Sequence, residues 1–219
     1  VPYSEDLTLT QGQKNSAVAV IFDAENKKGV ALNQRADRTT WCKNNGLEGY
    51  EKVQGACSED NGKANTEAIY NLGDFDFGSD NYPPFEYAKG YTAGGYTDWY
   101  IPAANELSVL RNNCEIVNSA IGKVGGTLVV SDIRPYWSST QSVNAAKAWA
   151  LSFDGRNITT DYDKAHDQSC LLIRCVRQFS GNDNSSKLTT YYVAPNATNG
   201  GIGSDDNNGL NGNAPFATI

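Results

Sequence analysis

The sequence predicts an α+β fold that combines small antiparallel sheets with two or more short helices. Residues 148–153 alternate between large apolar and small side chains, which is the period of a half-buried strand. Asp154-Gly155 follows directly, and this pair favours a hairpin because glycine accepts a positive φ. Apolar residues in 103–123 recur at helical spacing. Strands and helices therefore occupy separate segments of the chain, as is typical of α+β proteins.

Two groups of strands are predicted. Ala17 to Phe22 and Gly29 to Leu32 flank a polar turn and read as a hairpin. Near the other end, Tyr136 to Thr140 precedes the alternating segment, residues 156–163 supply its return strand, and residues 170–178 form a mostly buried strand. We expect the second group to form a small antiparallel sheet with polar loops at its edge.

Four helices are predicted between the two strand groups. Glycine stops the first helix, and prolines suit the first turn of the second. Glu106 lies in the first turn of the third, where the helix dipole favours an acid. The four segments are Ala64 to Leu72, Pro83 to Lys89, Ala103 to Asn112 and Asn113 to Lys123.

Length and charge limit the classes of function. The 219 residues suffice for one large domain or for one domain with a fragment of another. A net charge of −7 argues against nucleic acid, whose phosphates require a basic face. No apolar run approaches the ~18 residues of a membrane span, so none is expected in this chain.

The cysteine, histidine and aspartate residues are the candidates for metal and disulfide sites. Five cysteines occur without a CxxC motif and with a single histidine, which argues against structural zinc. Cys42 and Cys57 either close a loop as a disulfide or are small buried apolar residues. The segment 73–81 offers a possible calcium site although its spacing does not match an EF-hand, and solvated loop acids are the alternative. No other cofactor is expected, and the candidate calcium ligands are Asp74, Asp76 and Asp80.

Two motifs occur in order along the chain. They are Gly95-x-x-Asp98-Trp99-Tyr100-Ile101-Pro102-x-x-x-Glu106-Leu107, and Tyr136-Trp137-Ser138-Ser139-Thr140 followed by Ala148-Trp149, Phe153-x-Gly155 and Arg174-Cys175-Val176-Arg177-Gln178-Phe179. Together they resemble the bacterial domain found at the C-terminus of collagen-like adhesins and in many surface lipoproteins. That resemblance covers roughly residues 17–179 and implies a C-type-lectin-like fold, related to formylglycine-generating enzymes and to variable proteins diversified by retroelements. One departure is Ala103, where the family often has a helix-capping serine.

The C-terminal segment carries a second resemblance. Tyr191 to Asn196, Asp206 to Gly209 and Pro215 to Ile219 resemble the first rung of right-handed parallel β-helix proteins. We therefore expect four regions: an N-terminal extension (1–16), a C-type-lectin-like domain (17–179), a linker (180–190) and the truncated start of a β-helix domain (191–219).

Catalysis is not expected. His166 is the single histidine, and neither a Gly-x-Ser-x-Gly elbow nor a glycine-rich phosphate loop occurs. Cys170 and Cys175 have the separation of the cysteine pair in formylglycine-generating enzymes, but Cys175 matches the terminal strand of the fold. Its apolar neighbours predict a buried, inert thiol.

The remaining hypothesis is ligand recognition at a bacterial cell surface or outside the cell. The resemblance implies binding of a glycan or protein through loops beside the C-terminal sheet. Trp99, Trp137 and Trp149 fall on the apolar phase of their segments and are expected in the core. A non-catalytic accessory domain of a carbohydrate-active β-helix enzyme and a structural spacer are alternatives. The candidate ligand-binding residues are Ser139, Gln141, Ser142, Asn144, Arg156, Asn157, Thr159, Asp161, Tyr162, Asp163 and His166.

Overall fold

A computed structural model describes residues 8–35, 37–129, 135–154, 159–165, 171–180 and 189–192. Within these ranges the protein has the predicted α+β architecture, with two small sheets and several short helices. None of the described helices is long and apolar enough to cross a membrane. The helices are α1 (Gln11–Ser16), α2 (Gly62–Tyr70), α3 (Pro83–Gly90), α4 (Ala104–Asn112) and α5 (Cys114–Val124), and the strands are β1 (Ala17–Asp23), β2 (Lys28–Ala31), β3 (Tyr136–Gln141), β4 (Lys147–Leu151), β5 (Thr159–Asp163), β6 (Val176–Gln178) and β7 (Thr189–Tyr192).

The first sheet has the strand order β6-β2-β1-β7. The predicted β1–β2 hairpin forms, with Val20 opposite Val30. Strand β6 adds to β2 in antiparallel orientation, whereas β7 adds to β1 in parallel. The sheet therefore joins the two ends of the described chain.

The second sheet is the antiparallel meander β3-β4-β5. Trp137 lies opposite Ala150, and Gln141 lies opposite Ala148. Three residues of β3, 138–140, therefore lie opposite a single residue of β4, Trp149. This mismatch is a bulge in β3. Extra residues of this kind bend a strand and change the direction of its side chains.

Two main hydrophobic clusters lie on opposite faces of β1. Ala19 and Ile21 contribute to one cluster, and Val20 and Phe22 to the other, because successive strand residues point to opposite sides. The first cluster contains Trp41, Trp99 and Trp137, whereas α4 and α5 supply much of the second. A strand buried on both faces explains why residues 17–22 are apolar without alternation.

Several element boundaries differ from the sequence predictions. The predicted strand 170–178 is shorter, because within 171–178 only β6 is continuous; Leu171 and Leu172 make isolated bridges to Thr39 and Tyr136. Tyr100, just before Pro102, makes one isolated bridge to Val176.

Secondary structure also occurs outside residues 17–179. Residues 11–16, assigned to an extension, form α1, which begins with a capping box between Thr10 and Gln13. Strand β7 crosses the predicted boundary between linker and β-helix segment and pairs with β1. Residues 193–219, which carry most of the β-helix resemblance, lie outside the described residues.

The two sequence motifs meet and stabilise the fold. The backbone N–H and C=O of Tyr100 pair with those of Val176, at 3.0 Å each. The Asp98 carboxylate accepts from Nε of Arg177 at 2.5 Å, and the Arg177 guanidinium stacks on the Tyr96 ring. These motif residues therefore connect segments about 75 residues apart along the chain.

Glu106 completes this junction from the start of α4. Its buried carboxylate accepts the N–H of Ala103 at 2.7 Å, the N–H of Gly62 at 3.2 Å and the hydroxyl of Tyr100 at 3.0 Å. It also pairs with the Lys28 ammonium at 2.5 Å. Glu106 thus caps a helix whose N-cap residue, Ala103, has no side-chain acceptor.

Candidate functional site

The β4–β5 ladder presents a polar face with one tryptophan. Lys147 pairs with Asp163, and Trp149 pairs with Asp161. Residues directly opposite each other in an antiparallel pair project to the same side, so these four side chains share one face. We call Lys147, Trp149, Asp161 and Asp163 the outer face.

Neighbouring hydroxyl groups position the acids of the outer face. Asp161 accepts from the Ser142 hydroxyl at 2.9 Å and lies 3.5 Å from the Lys147 ammonium. Asp163 accepts from the Tyr50 hydroxyl at 3.1 Å. The Lys147–Asp161 pair is partly solvated and contributes little to stability, so its charges remain available to a ligand.

Trp149 is partly exposed, so the prediction that it lies in the core is wrong. Its neighbours Ala148 and Ala150 point inward instead, toward the cluster that contains Trp41 and Trp137. Those two indoles fill the interior beneath the sheet, and alanine is small enough to fit against them. The predictions for Trp99 and Trp137 are confirmed, at 2% and 0% exposure.

Three predicted loop residues are buried, so their assignment to an exposed loop is wrong. Ser139 and Gln141 lie within β3, which runs further than expected, and Ser142 follows it. The Ser139 hydroxyl accepts from Asn65 at 3.3 Å, and the Gln141 amide bonds the N–H and C=O of Val53 at 3.0 and 3.3 Å. These side chains position other segments and do not face solvent.

The other predicted ligand-binding residues have different environments. Asn144 is exposed in the β3–β4 turn, where its side chain accepts the N–H of Ala146 at 3.1 Å. Tyr162 points to the opposite side from Asp161 and packs edge-on against Trp137. Arg156, Asn157 and His166 lie outside the described residues, as does the side chain of Thr159.

Sequence reasoning missed Lys164, whose ammonium is fully buried beneath the sheet. It donates to the carbonyls of Gly49 and Glu51 at 2.8 and 3.1 Å and to the side-chain oxygen of Gln141. The ammonium also lies 4.7 Å from the centroid of the Trp41 ring, a cation–π contact. A signal was available, because alternation continued from Tyr162 predicts that Lys164, the residue directly after β5, points inward.

Burial lowers the pKa of Lys164 to about 8, because removal from water disfavours the charged form. Cys42, Cys57, Glu51 and Asp163 oppose this shift electrostatically. The ammonium therefore connects residues 49–51 to the end of β3 from inside the protein.

Two of the three aspartates proposed for calcium have other polar partners for their carboxylates. Asp74 accepts the N–H of Glu48 at 2.7 Å and the hydroxyl of Tyr82 at 2.6 Å. Asp80 pairs with the Lys43 ammonium at 2.6 Å. Among the described residues, no group of three acidic, histidine or cysteine side chains is placed to hold a metal ion. Calcium binding by Asp74, Asp76 and Asp80 stays a prediction.

Cys42 and Cys57 are separate thiols, so the disulfide alternative is wrong. Cys42 is buried, and burial raises its pKa to about 12; Cys57 is exposed and not the buried apolar residue of the other alternative. Cys175 is fully buried, and burial raises the pKa of its thiol as well. The inert environment expected for Cys175 is therefore present, whereas Cys170 lies outside the described residues.

Comparisons with known proteins agree with this architecture. The Lcl C-terminal domain family matches residues 31–177, a range that includes almost all of both sequence motifs. A fimbrial protein from Bacteroides ovatus has a similar fold, with a TM-score of 0.50 at 16% identity over 69% of this chain. This chain spans 35% of that protein's length. No curated protein matches. Since the family match covers most of the chain, the protein belongs to the Lcl C-terminal domain family.

Proposed function

We propose that this domain is a non-catalytic recognition module of a secreted or surface-exposed bacterial protein, and that its outer face binds a glycan or protein ligand. The observation that carries the proposal is the partly exposed Trp149 among polar groups held in place. Membership of the Lcl C-terminal domain family supports it, and so does a similar fold in a fimbrial protein. A C-type-lectin-like fold, which presents ligand-binding loops beside a sheet, remains part of the proposal.

The outer face combines the groups that recognition sites use. An indole provides a large rigid surface on which a sugar ring or an apolar side chain can stack, and tryptophan is enriched in binding hot spots. Asp161 and Asp163 offer acceptors to hydroxyl or amide groups, and Lys147 offers a donor. The Ser138 hydroxyl donates to the carbonyl of Trp149 at 2.7 Å, which fixes the backbone beneath the indole.

Two buried thiols support a role without chemistry, although Cys57 is an exposed free thiol. Cys42 and Cys175 are buried with raised pKa values, so they remain protonated near neutral pH, and a protonated thiol is a poor nucleophile. The acids of the outer face are engaged by a hydroxyl or an ammonium group. Both features suit binding better than catalysis.

Glycan and protein arrays probed with the folded chain test the proposal. The strongest ligand is then titrated against the Trp149→Ala variant, for which we expect a loss of about 2 kcal/mol, or roughly 30-fold in affinity. Phe77→Ala is the matched control, because Phe77 is an exposed aromatic residue that does not belong to the outer face. Absence of binding by the wild-type chain, or equal affinity of the Trp149→Ala variant, contradicts the proposal.

A further inference from the structure

A groove of about 590 Å³ lies between α2 and residues 48–54 and shares no lining residue with the outer face. One wall is α2, and the other is the segment that begins with a short 3₁₀ helix, Glu48–Tyr50. The lining residues are Glu48, Lys52, Val53, Gln54, Ala64, Glu67, Ala68, Asn71 and Leu72.

The helix wall is a single stripe of α2. Ala64, Glu67, Ala68 and Asn71 recur at positions i, i+3, i+4 and i+7 and share one helix face. The two alanines leave room for a ligand to approach the backbone. From Ala64 to Asn71 the stripe is about 10 Å long, which matches about three residues of extended chain.

The opposite wall is held from behind by buried groups. The Gln141 side chain bonds both backbone polar groups of Val53, and Lys164 donates to the carbonyls of Gly49 and Glu51. The N–H of Gly49 donates to the Tyr82 hydroxyl at 2.8 Å. The groove therefore has two fixed walls before any ligand arrives, which lowers the entropic cost of binding.

Four polar side chains at the groove are uncommitted in the described part of the structure. Lys52, Gln54, Glu67 and Asn71 are exposed and have neither a hydrogen bond nor an ion pair from their side chains there. The two carboxamides can each donate and accept, as the N–H and C=O groups of a peptide backbone require. The groove lining carries two acids, Glu48 and Glu67, and one base, Lys52, so it is acidic, as is the whole chain with a net charge of −7.

We infer that this groove binds an extended segment of a partner polypeptide that carries a basic side chain. The two carboxamides bind its backbone, the Ala64–Ala68 stripe accommodates its chain, and Glu67 binds the basic group. A glycan fits less well, because none of the described residues that line the groove has an aromatic side chain to stack on a sugar ring. The inference does not depend on what the outer face binds.

Selection of random peptides of about a dozen residues on the immobilised full chain tests the inference. We expect enriched peptides to contain lysine or arginine and to lose at least roughly tenfold in affinity for Ala64→Trp, whose indole fills the groove. Lys63→Trp is the matched control, because Lys63 is an exposed α2 residue that does not line the groove.

A second variant avoids any doubt about folding. Glu67→Lys changes only an exposed charge and should weaken basic peptides while leaving the circular dichroism spectrum unchanged. Three results overturn the inference: no peptide binds more tightly than ~1 mM, both groove variants retain wild-type affinity, or Trp149→Ala abolishes peptide binding while the groove variants do not.

Discussion

Lys164 shows how one buried residue organises the segments around the site. Burial of an ammonium costs free energy, which is offset only when its donors find acceptors. Here the acceptors are the carbonyls of Gly49 and Glu51 and the side chain of Gln141. One side chain therefore fixes residues 49–51 relative to β3 and shapes a wall of the groove.

Replacement of Lys164 by methionine should destabilise the protein by about 2–4 kcal/mol, because buried carbonyls lose their donor. Urea unfolding measures this change. Lys63→Met is the control: Lys63 is exposed, so the same substitution should change stability by less than ~0.5 kcal/mol. A Lys164→Met variant as stable as the control contradicts the role assigned to the ammonium.

The sequence predicts which strand residues are buried only where it also shows which side of the strand points to the interior. Alternation in residues 148–153 correctly indicated a strand, but it did not indicate which side is interior. The bulge at 138–140 and the space occupied by Trp41 and Trp137 decide that Trp149 faces outward. Alternation continued from Tyr162 indicates that Lys164 points inward, but the partners of Gln141 and Lys164 lie in residues 49–53, about 90 to 115 positions away, and no local pattern contains those contacts.

At the scale of elements, the start of α2 packs directly on the start of α4. A Cβ atom on Gly62 would lie 2.5 Å from the backbone N of Ala103, from the backbone O of Ile101 and from the Glu106 carboxylate. Only glycine permits this approach, which lets Glu106 accept hydrogen bonds from both helices. The helix termini are thus joined by one carboxylate.

Gly62→Ala should therefore destabilise the protein by about 1–3 kcal/mol through overpacking, although alanine is the better helix former. The control is Gly122→Ala in α5, where a Cβ meets no atom within 4 Å, and a gain of up to ~1 kcal/mol is expected. Thermal unfolding of both variants measures the changes. A Gly62→Ala variant that gains stability like Gly122→Ala would show that the helix contact is loose.

The central helices were the most predictable elements. α2 to α5 begin and end within two residues of their predicted bounds, because apolar spacing, prolines and terminal glycines are local signals. β6 is shorter than predicted, and β7 was not foreseen. Strand length depends on partners distant in sequence, so the pairing of β6 with β2 and of β7 with β1 lies beyond local patterns.

At the scale of the whole molecule, the motif residues that hold the fold are largely distinct from the two surfaces proposed for recognition. Asp98, Tyr100, Glu106 and Arg177 belong to the sequence motifs, and each contributes to the junction that holds the fold. The motifs therefore identify the family without specifying a ligand. Of the residues that form the outer face and line the groove, Trp149 belongs to a motif and the others do not.

Collisional quenching of tryptophan fluorescence by iodide tests the central claim most directly, that Trp149 contacts the ligand. Trp41, Trp99 and Trp137 are at most 2% exposed, so the quenchable emission of the native chain should come from Trp149 and disappear in Trp149→Phe. Saturation with the ligand found on the arrays should protect this emission from iodide. Quenching that is unchanged by saturating ligand would contradict the assignment of the outer face as the binding site.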